Sequence, residues 1–218
     1  MKIAIIGSGI SGLTAGYLLN RNHDISIYEA NDYIGGHTHT HRIELDNNIY
    51  AVDTGFIVYN ERTYPNFIKL LDQLGVERQL STMGFSVKSV NEDYEYSGES
   101  LNTLFAKRSN IFRVGFLRML YEMYKFGKEA DASGAGLDSS ITLGQYLKSK
   151  NYSDEFIHYF ITPMGAAIWS TPANKVLDMP AYFFIKFFYN HGMLEIVNRP
   201  KWWVIKNGSS QYLSLIHI

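Results

Sequence analysis

Apolar residues form short runs at the start of the chain and broad helical stripes in its second half. Lys2–Ile6 is a continuous β-branched run that stops at Gly7, the pattern of a strand buried on both faces. Over Gly12–Arg21, Leu13, Tyr17 and Leu18 recur at helical spacing with helix-tolerant Ala15. Asp24–Glu29 is a second β-rich run carrying Ile25, Ile27 and Tyr28. Strand, helix and strand together span about thirty residues, the size of a βαβ crossover.

Downstream, Asn31–His41 is a loop leading into a strand. Arg42–Val52 predicts a hairpin turning at Asp46-Asn47-Asn48. Pro65–Leu74 sets Phe67, Leu70, Leu71 and Leu74 on a helical face, with Gly75 as its C-terminal stop. Phe85–Val90 and Tyr94–Tyr96 alternate around Asn91-Glu92-Asp93 as a second hairpin. The pattern then turns helical. Asn110–Ala130 shows one broad face of Phe112, Phe116, Met119, Leu120, Met123 and Tyr124. Thr142–Ser149, Ser153–Thr162 and Pro180–Asn190 are further helices, and Lys201–Lys206 is a strand. Ala132–Ser140, small and Gly/Ser-rich, is the one linker-like stretch.

Composition narrows the chemistry. The 218 residues carry a net charge of −1, so no basic excess exists to grip nucleic acid. Cysteine is absent, which excludes disulfides and thiol chemistry and fits a reducing, cytoplasmic setting. Charged residues are 19% and aromatics 15%, which argues against disorder and for large apolar surfaces. The N-terminal apolar run is too short for a signal peptide, and no window is long enough for a membrane span.

The sharpest motif is Gly7-Ser8-Gly9-Ile10-Ser11-Gly12, which leaves a predicted strand and opens a predicted helix. Gly7 permits the tight turn, Gly9 lets backbone approach a diphosphate, and Gly12 lets the helix pack closely on the strand. The diphosphate would face unpaired N–H groups at the helix N-terminus. Glu29, 22 residues after Gly7, can accept from both ribose hydroxyls and disfavours a 2′-phosphate. The pair Gly35-Gly36 suggests a second close approach of backbone to ligand, one that NAD does not require.

From Gly7 through Glu29 to Gly35-Gly36, the chain resembles the FAD-binding N-terminus of the flavin amine oxidase superfamily. The likeness continues through Gly35-Gly36-His37-Thr38, Asp53-Thr54-Gly55-Phe56-Ile57-Val58 and Tyr64-Pro65-Asn66-Phe67. It extends to Pro163–Ser170 and Asn190-His191-Gly192-Met193, and covers roughly residues 1–212. Within the superfamily it is similar to a bacterial branch described as predicted NAD/FAD-binding, amine-oxidase-like oxidoreductases. The resemblance implies FAD bound in extended form, with a helical domain shaping a substrate cavity over the flavin. It also implies a place beside the flavin for Asp53, Thr54 and Gly55. Two departures stand out. His37 follows the glycine pair where many amine oxidases have Arg, and Asn207-Gly208-Ser209 replaces a double glycine before Ser.

The expected fold is α/β: a Rossmann-like, glutathione-reductase-type FAD-binding unit with a mostly helical substrate-domain insert, truncated at its C-terminus. The expected partition is 1–80 for FAD binding, 81–200 for substrate, 201–212 for the return and 213–218 as a foreign tail. Leu213–Ile218 matches a forward translation of a transposon-derived adapter end, and the resembling families run to roughly twice this length. The expected cofactor residues are Gly7, Ser8, Gly9, Ile10, Ser11, Gly12, Glu29, Ala30, Gly35, Gly36, His37, Thr38, Asp53, Thr54 and Gly55. Catalytic residues stay open. His37, His39 and His41 alternate on one strand face, but their spacing of about 7 Å suits three ligands of one metal poorly. His158 and His191 read as structural. Trp169 and the aromatics of 182–189 fit core packing, an apolar substrate cavity or a shallow membrane-docking surface. The expected function is flavin-dependent oxidation of a C–N or C–C bond in a small apolar or amine substrate. The alternatives are a flavin- or lipid-binding protein without turnover and an NAD-dependent dehydrogenase.

Overall fold

A computed structural model describes residues 1–90, 92–133, 137–193 and 200–216. In chain order its strands are β1 (Lys2–Ile6), β2 (Asp24–Tyr28), β3 (Thr40–Leu45), β4 (Asn48–Asp53), β5 (Tyr59–Asn60), β6 (Arg78–Ser81), β7 (Ser86–Lys88), β8 (Glu95–Ser97) and β9 (Trp202–Ile205). The helices are α1 (Ile10–Leu19), α2 (Pro65–Leu74), α3 (Leu101–Leu104), α4 (Val114–Ser133), α5 (Leu143–Ser149), α6 (Asp154–Phe156), α7 (Thr162–Trp169), α8 (Ala173–Val176), α9 (Ala181–Asn190) and α10 (Ser210–Ile216). The chain divides into two compact units, Met1–Met83 with Pro200–Ile218, and Gly84–Arg199.

In the first unit β1 and β2 pair in parallel, with Ile3 opposite Ile25 and Ile5 opposite Ile27. Helix α1 returns over the face carrying Ile5 and Ile27. A Cβ on Gly16 would stand 2.9 Å from Ile27 Cδ1, so this glycine sets the helix-to-sheet distance. The opposite face is not covered: Ala4 is exposed and Ile6 is 82% exposed. This corrects the expectation of a strand buried on both faces. A two-stranded sheet with one helix has a single covered side among the described residues.

Strands β3 and β4 form the expected hairpin, turned by Asp46 and Asn47 at φ 52° and 61°. Positive φ at both central positions is the I′ geometry that matches strand twist, and Asp and Asn tolerate it. Strand β9 lies between β5 and β6, antiparallel to both, so Trp203 faces Tyr59 on one side and Leu80 on the other. The segment after residue 200 therefore belongs to the first unit. Gly75, at φ 65°, ends α2 at the expected residue. Leu13, Tyr59, Leu71, Ile205, Tyr212 and Ile216 form this unit's core.

The second unit is built from side chains. Phe116, Met119, Phe126, Phe156, Phe184 and Phe188 are fully buried, and Phe184 stacks on Phe188 at 4.3 Å between centroids. The aromatic run of α9 thus fills core on one face and does not line a cavity with it. Thr142 and Gln145 close a capping box on α5. Helix α4 starts at Val114, not Asn110, because Arg108–Phe112 forms a 3₁₀ turn before it. Phe112 and Tyr124, expected on one broad face with Phe116 and Met119, are exposed. Of the expected linker Ala132–Ser140, residues 134–136 lie outside the described residues. Asn91 of the second hairpin turn also lies outside them.

The helix expected to end at Thr162 runs on to Trp169. A single π turn, Ile157–Ile161, joins α6 to α7. Pro163 has no N–H to offer the carbonyl of Tyr159, four residues earlier. That carbonyl instead accepts the Tyr96 hydroxyl at 2.7 Å. Proline therefore widens the helix without breaking it, because β8 supplies the missing donor. Among the described residues, no helix is long and apolar enough to cross a membrane.

Candidate cofactor site

The site grows from the turn between β1 and α1. The Gly7 N–H donates to the Tyr28 carbonyl at 2.7 Å, tying the end of β1 to the end of β2 at φ 94°. Gly12 is required by space. A Cβ there would stand 2.1 Å from the Gly7 carbonyl oxygen. Gly9 is the N-cap of α1 and offers no capping side chain, and the first turn holds no acidic residue. A Cβ on Gly9 would meet nothing within 4 Å. The helix thus opens on free backbone N–H groups with clear space before them, the setting that favours an anion. Ile10 and Ser11 start the helix with exposed side chains.

Glu29 lies across this turn. One carboxylate oxygen accepts from the Ser8 N–H at 2.9 Å and the Ser8 hydroxyl at 2.5 Å. The other accepts from the N–H groups of Ala30 and Asn31, at 2.8 and 2.9 Å, and from the Asn31 amide. These donors, the Ser8 hydroxyl foremost, hold the Glu29 carboxyl down to about 2. A half-buried cleft of about 270 Å³ adjoins both Ser8 and Glu29, walled by Tyr17, Ile25, Ile27 and Ile34. It is smaller than the roughly 300–1,000 Å³ of pockets for drug-sized ligands, so it takes at most one end of a dinucleotide.

The second glycine pair docks on the first loop. The Gly35 N–H donates to the Ser8 carbonyl at 3.1 Å, and Gly9 and Gly35 form a parallel bridge. Gly36, at φ 61°, sits so close that its Cβ would lie 3.0 Å from the Gly9 Cα. The two loops therefore form one continuous rim of backbone. Gly35 and Gly36 are needed here for φ and for contact between the loops.

Other expected residues act behind this rim. Thr38 is buried and shares a 2.9 Å hydrogen bond with the Tyr212 hydroxyl. Gly55 meets backbone: a Cβ would fall 1.7 Å from the His37 carbonyl oxygen. The Thr54 N–H donates to the His39 carbonyl at 3.0 Å. Asp53 accepts from the Thr40 hydroxyl at 2.5 Å, and from the Ser209 N–H and hydroxyl at 3.0 Å. The structure thus spends the polar groups of 38 and 53–55 on joining the hairpin to the loops and to the returning segment. Thr40 and Tyr212 carry no motif in the sequence, and Ser209 enters only through the departure at 207–209. The signal was Asn207-Gly208-Ser209: Asn207 adopts φ 65°, and a Cβ on Gly208 would stand 2.5 Å from Thr40 Cγ2. The departure from a double glycine is therefore accommodated, since Asn enters the left-handed region readily.

Tyr33 stacks on His39 at 4.5 Å and His39 leans on His41 at 4.1 Å, so both imidazoles meet rings through their faces. Among the described residues no three His, Asp or Glu side chains are grouped to hold a metal ion. His158 and His191 each bond through Nδ1 to the carbonyl four residues earlier, at 2.9 Å. Burial pushes the His191 imidazole down, and it stacks on Phe187. Leu213–Ile216, expected as foreign, lie in α10 with Leu213 and Ile216 buried in the first unit; residues 217–218 lie outside the described residues.

Residues 5–74 match the family of NAD(P)-binding Rossmann-like domains. The chain is 31% identical over 157 residues to tryptophan 2-monooxygenase of Allorhizobium ampelinum, across 69% of this chain and 20% of that one. It is 25% identical to 4,4′-diapophytoene desaturase of Staphylococcus aureus, across 74% of this chain and 35% of the desaturase. The fold matches cyclohexylamine oxidase from Brevibacterium oxydans over 99% of this chain and 48% of the oxidase, with a TM-score of 0.64 at 19% identity. These sequence relatives support the resemblance to the flavin amine oxidase superfamily. The chain spans about half the length of that solved structure and less of the curated relatives. Monooxygenase, desaturase and oxidase are all oxidoreductases, while the chemistry differs between them.

Proposed function

We propose that this chain is the cofactor-binding half of an FAD-dependent oxidoreductase acting on an apolar or amine substrate. The observation that carries it is the continuous rim made by Gly7–Gly12 and Gly35-Gly36, with Glu29 at the end of β2. A bound flavin would supply the hydride-accepting chemistry. The chain's own residues bind and orient. Backbone N–H groups at the start of α1 would hold the diphosphate of such a cofactor, with Gly9 leaving room for it. Glu29 is fully ionised at neutral pH and is an acceptor for ribose hydroxyls, which would exchange with the Ser8 hydroxyl. Ala30 holds Glu29 through its N–H. Gly35, Gly36 and His37 extend the rim, and Thr38, Asp53, Thr54 and Gly55 keep it in place from behind.

The test is the visible spectrum of full-length protein, followed by anaerobic titration with amines and with unsaturated lipids. A bound flavin spectrum, bleached by a member of either class, is the expected result. Glu29→Ala should weaken FAD binding about ten- to a hundredfold, the scale of a charge-assisted hydrogen bond. Colourless protein that binds NADH tightly would refute the proposal.

A further inference from the structure

Helix α4 carries two faces, and only one is used inside its unit. Phe116, Met119, Glu122 and Phe126 turn inward and are buried. The opposite side presents Val114, Leu117, Tyr121, Tyr124 and Lys128, spaced i, i+3, i+7, i+10 and i+14, a second stripe along one helix. Tyr121 is 65% exposed, and Phe112, just ahead of the helix, is 86% exposed. From Val114 to Lys128 the stripe runs about 21 Å at 1.5 Å per residue. A contiguous apolar strip of this kind marks an interaction surface.

Charge identifies the partner. Segment 107–129 holds six cations, Lys107, Arg108, Arg113, Arg118, Lys125 and Lys128, against Glu122 and Glu129, in a chain of net charge −1; Lys107 pairs with Asp93, and Glu155 lies against Gly115 near the start of α4. The carboxylates turn inward. Glu122 accepts from Arg118 Nε at 3.0 Å and from Ser153, and its side chain is 6% exposed while that of Arg118 is 56% exposed. Glu129 pairs with Lys125 and accepts the Tyr152 hydroxyl. Arg118 and Lys128 are exposed on α4, and no exposed carboxylate interrupts the stripe among the described side chains of that helix. Aromatic and aliphatic residues flanked by Lys and Arg on one helix face fit a planar anionic interface.

We propose that the outward face of α4, with Phe112 at its head, is a docking surface for an anionic phospholipid bilayer. The helix lies in the interface plane and does not cross it. This is separate from the aromatic run of α9, whose buried face is core, and it rests on none of the flavin reading.

The test is co-sedimentation of full-length protein with phosphatidylcholine vesicles, with and without phosphatidylglycerol. Binding should require phosphatidylglycerol and fall as salt rises. Lys128→Glu should weaken it about fivefold or more, the scale of one cation near an anionic surface, and Leu117→Asp with Tyr121→Asp should abolish it. All these positions are exposed, so thermal unfolding followed by circular dichroism should be unchanged. A Tyr121→Trp variant gives an independent readout, a blue shift of its emission on phosphatidylglycerol vesicles. Equal binding to neutral vesicles, no binding to either, or an unmoved emission would overturn the proposal. So would a lipid-free dimer that the double Asp variant dissociates, which would assign the stripe to a second copy of the chain.

Discussion

The two units are held by different means. In Gly84–Arg199, large side chains do the holding: Phe126 meets Phe156 and Phe184, and Trp169 touches four phenylalanines of α9. In the first unit the decisive contacts run through backbone. Gly7 binds Tyr28, Gly35 binds Ser8, and Gly12 and Gly55 sit where any side chain would strike a carbonyl. The same unit leaves Ile6 and Ile49 exposed. A packed core tolerates small changes of shape by repacking, but a rim of close backbone contacts has no slack at its glycines. The comparison teaches that loop geometry and core stability are carried by different residue classes in this chain.

The comparison can be broken most sharply from the core side. Phe184→Ala should destabilise the second unit by about 3–5 kcal/mol, the range for a buried aromatic truncation, read by denaturant unfolding. If the flavin spectrum survives at low denaturant, the two units are separable as described. Asp53→Asn should come next, at about 1.5–3 kcal/mol, because the amide loses the charge that holds Thr40 and the Ser209 N–H. Its loss should appear in the first unit, as hydrogen exchange along β3 and residues 207–210. Tyr96→Phe should cost about 1–3 kcal/mol, because the Tyr159 carbonyl beside Pro163 loses its donor. An unchanged melting curve would show that water replaces the hydroxyl.

The smallest effect is one of pH. The Glu29 carboxyl is held down to about 2, so its contribution is present above the ordinary carboxylate value and is lost as pH falls from about 4.5 towards about 2. Ser8→Ala removes the leading donor and should raise that carboxyl, so the acid loss begins at higher pH. An NMR titration of the Glu29 side chain reads both values; identical midpoints would remove Ser8 from its role.

Local chemistry was legible in the residues. Gly75 stops α2, and Asp46-Asn47 turns the hairpin, because each depends on φ and on neighbours within a few positions. The glycine motif was legible for the same reason: a strand end, a turn and a helix start lie within six residues. Misreadings came where a distant segment supplied the missing group. Pro163 looked like a helix end, but Tyr96, far back in the chain, satisfies the carbonyl that proline cannot. Phe112 and Tyr124 were expected on one face with Phe116 and Met119, but apolar periodicity does not say which of two stripes on α4 meets the rest of the unit.

By itself, the sequence determined the order of strand, helix and strand, the glycine-rich turn and the acidic residue that follows it. Each is a matter of backbone conformation or of side-chain periodicity over a short span. Only the tertiary structure decided that Asp53 joins Thr40 to Ser209 and that Gly55 yields space to His37. Those contacts bring together residues as much as 156 positions apart, and no local pattern encodes a partner at that distance.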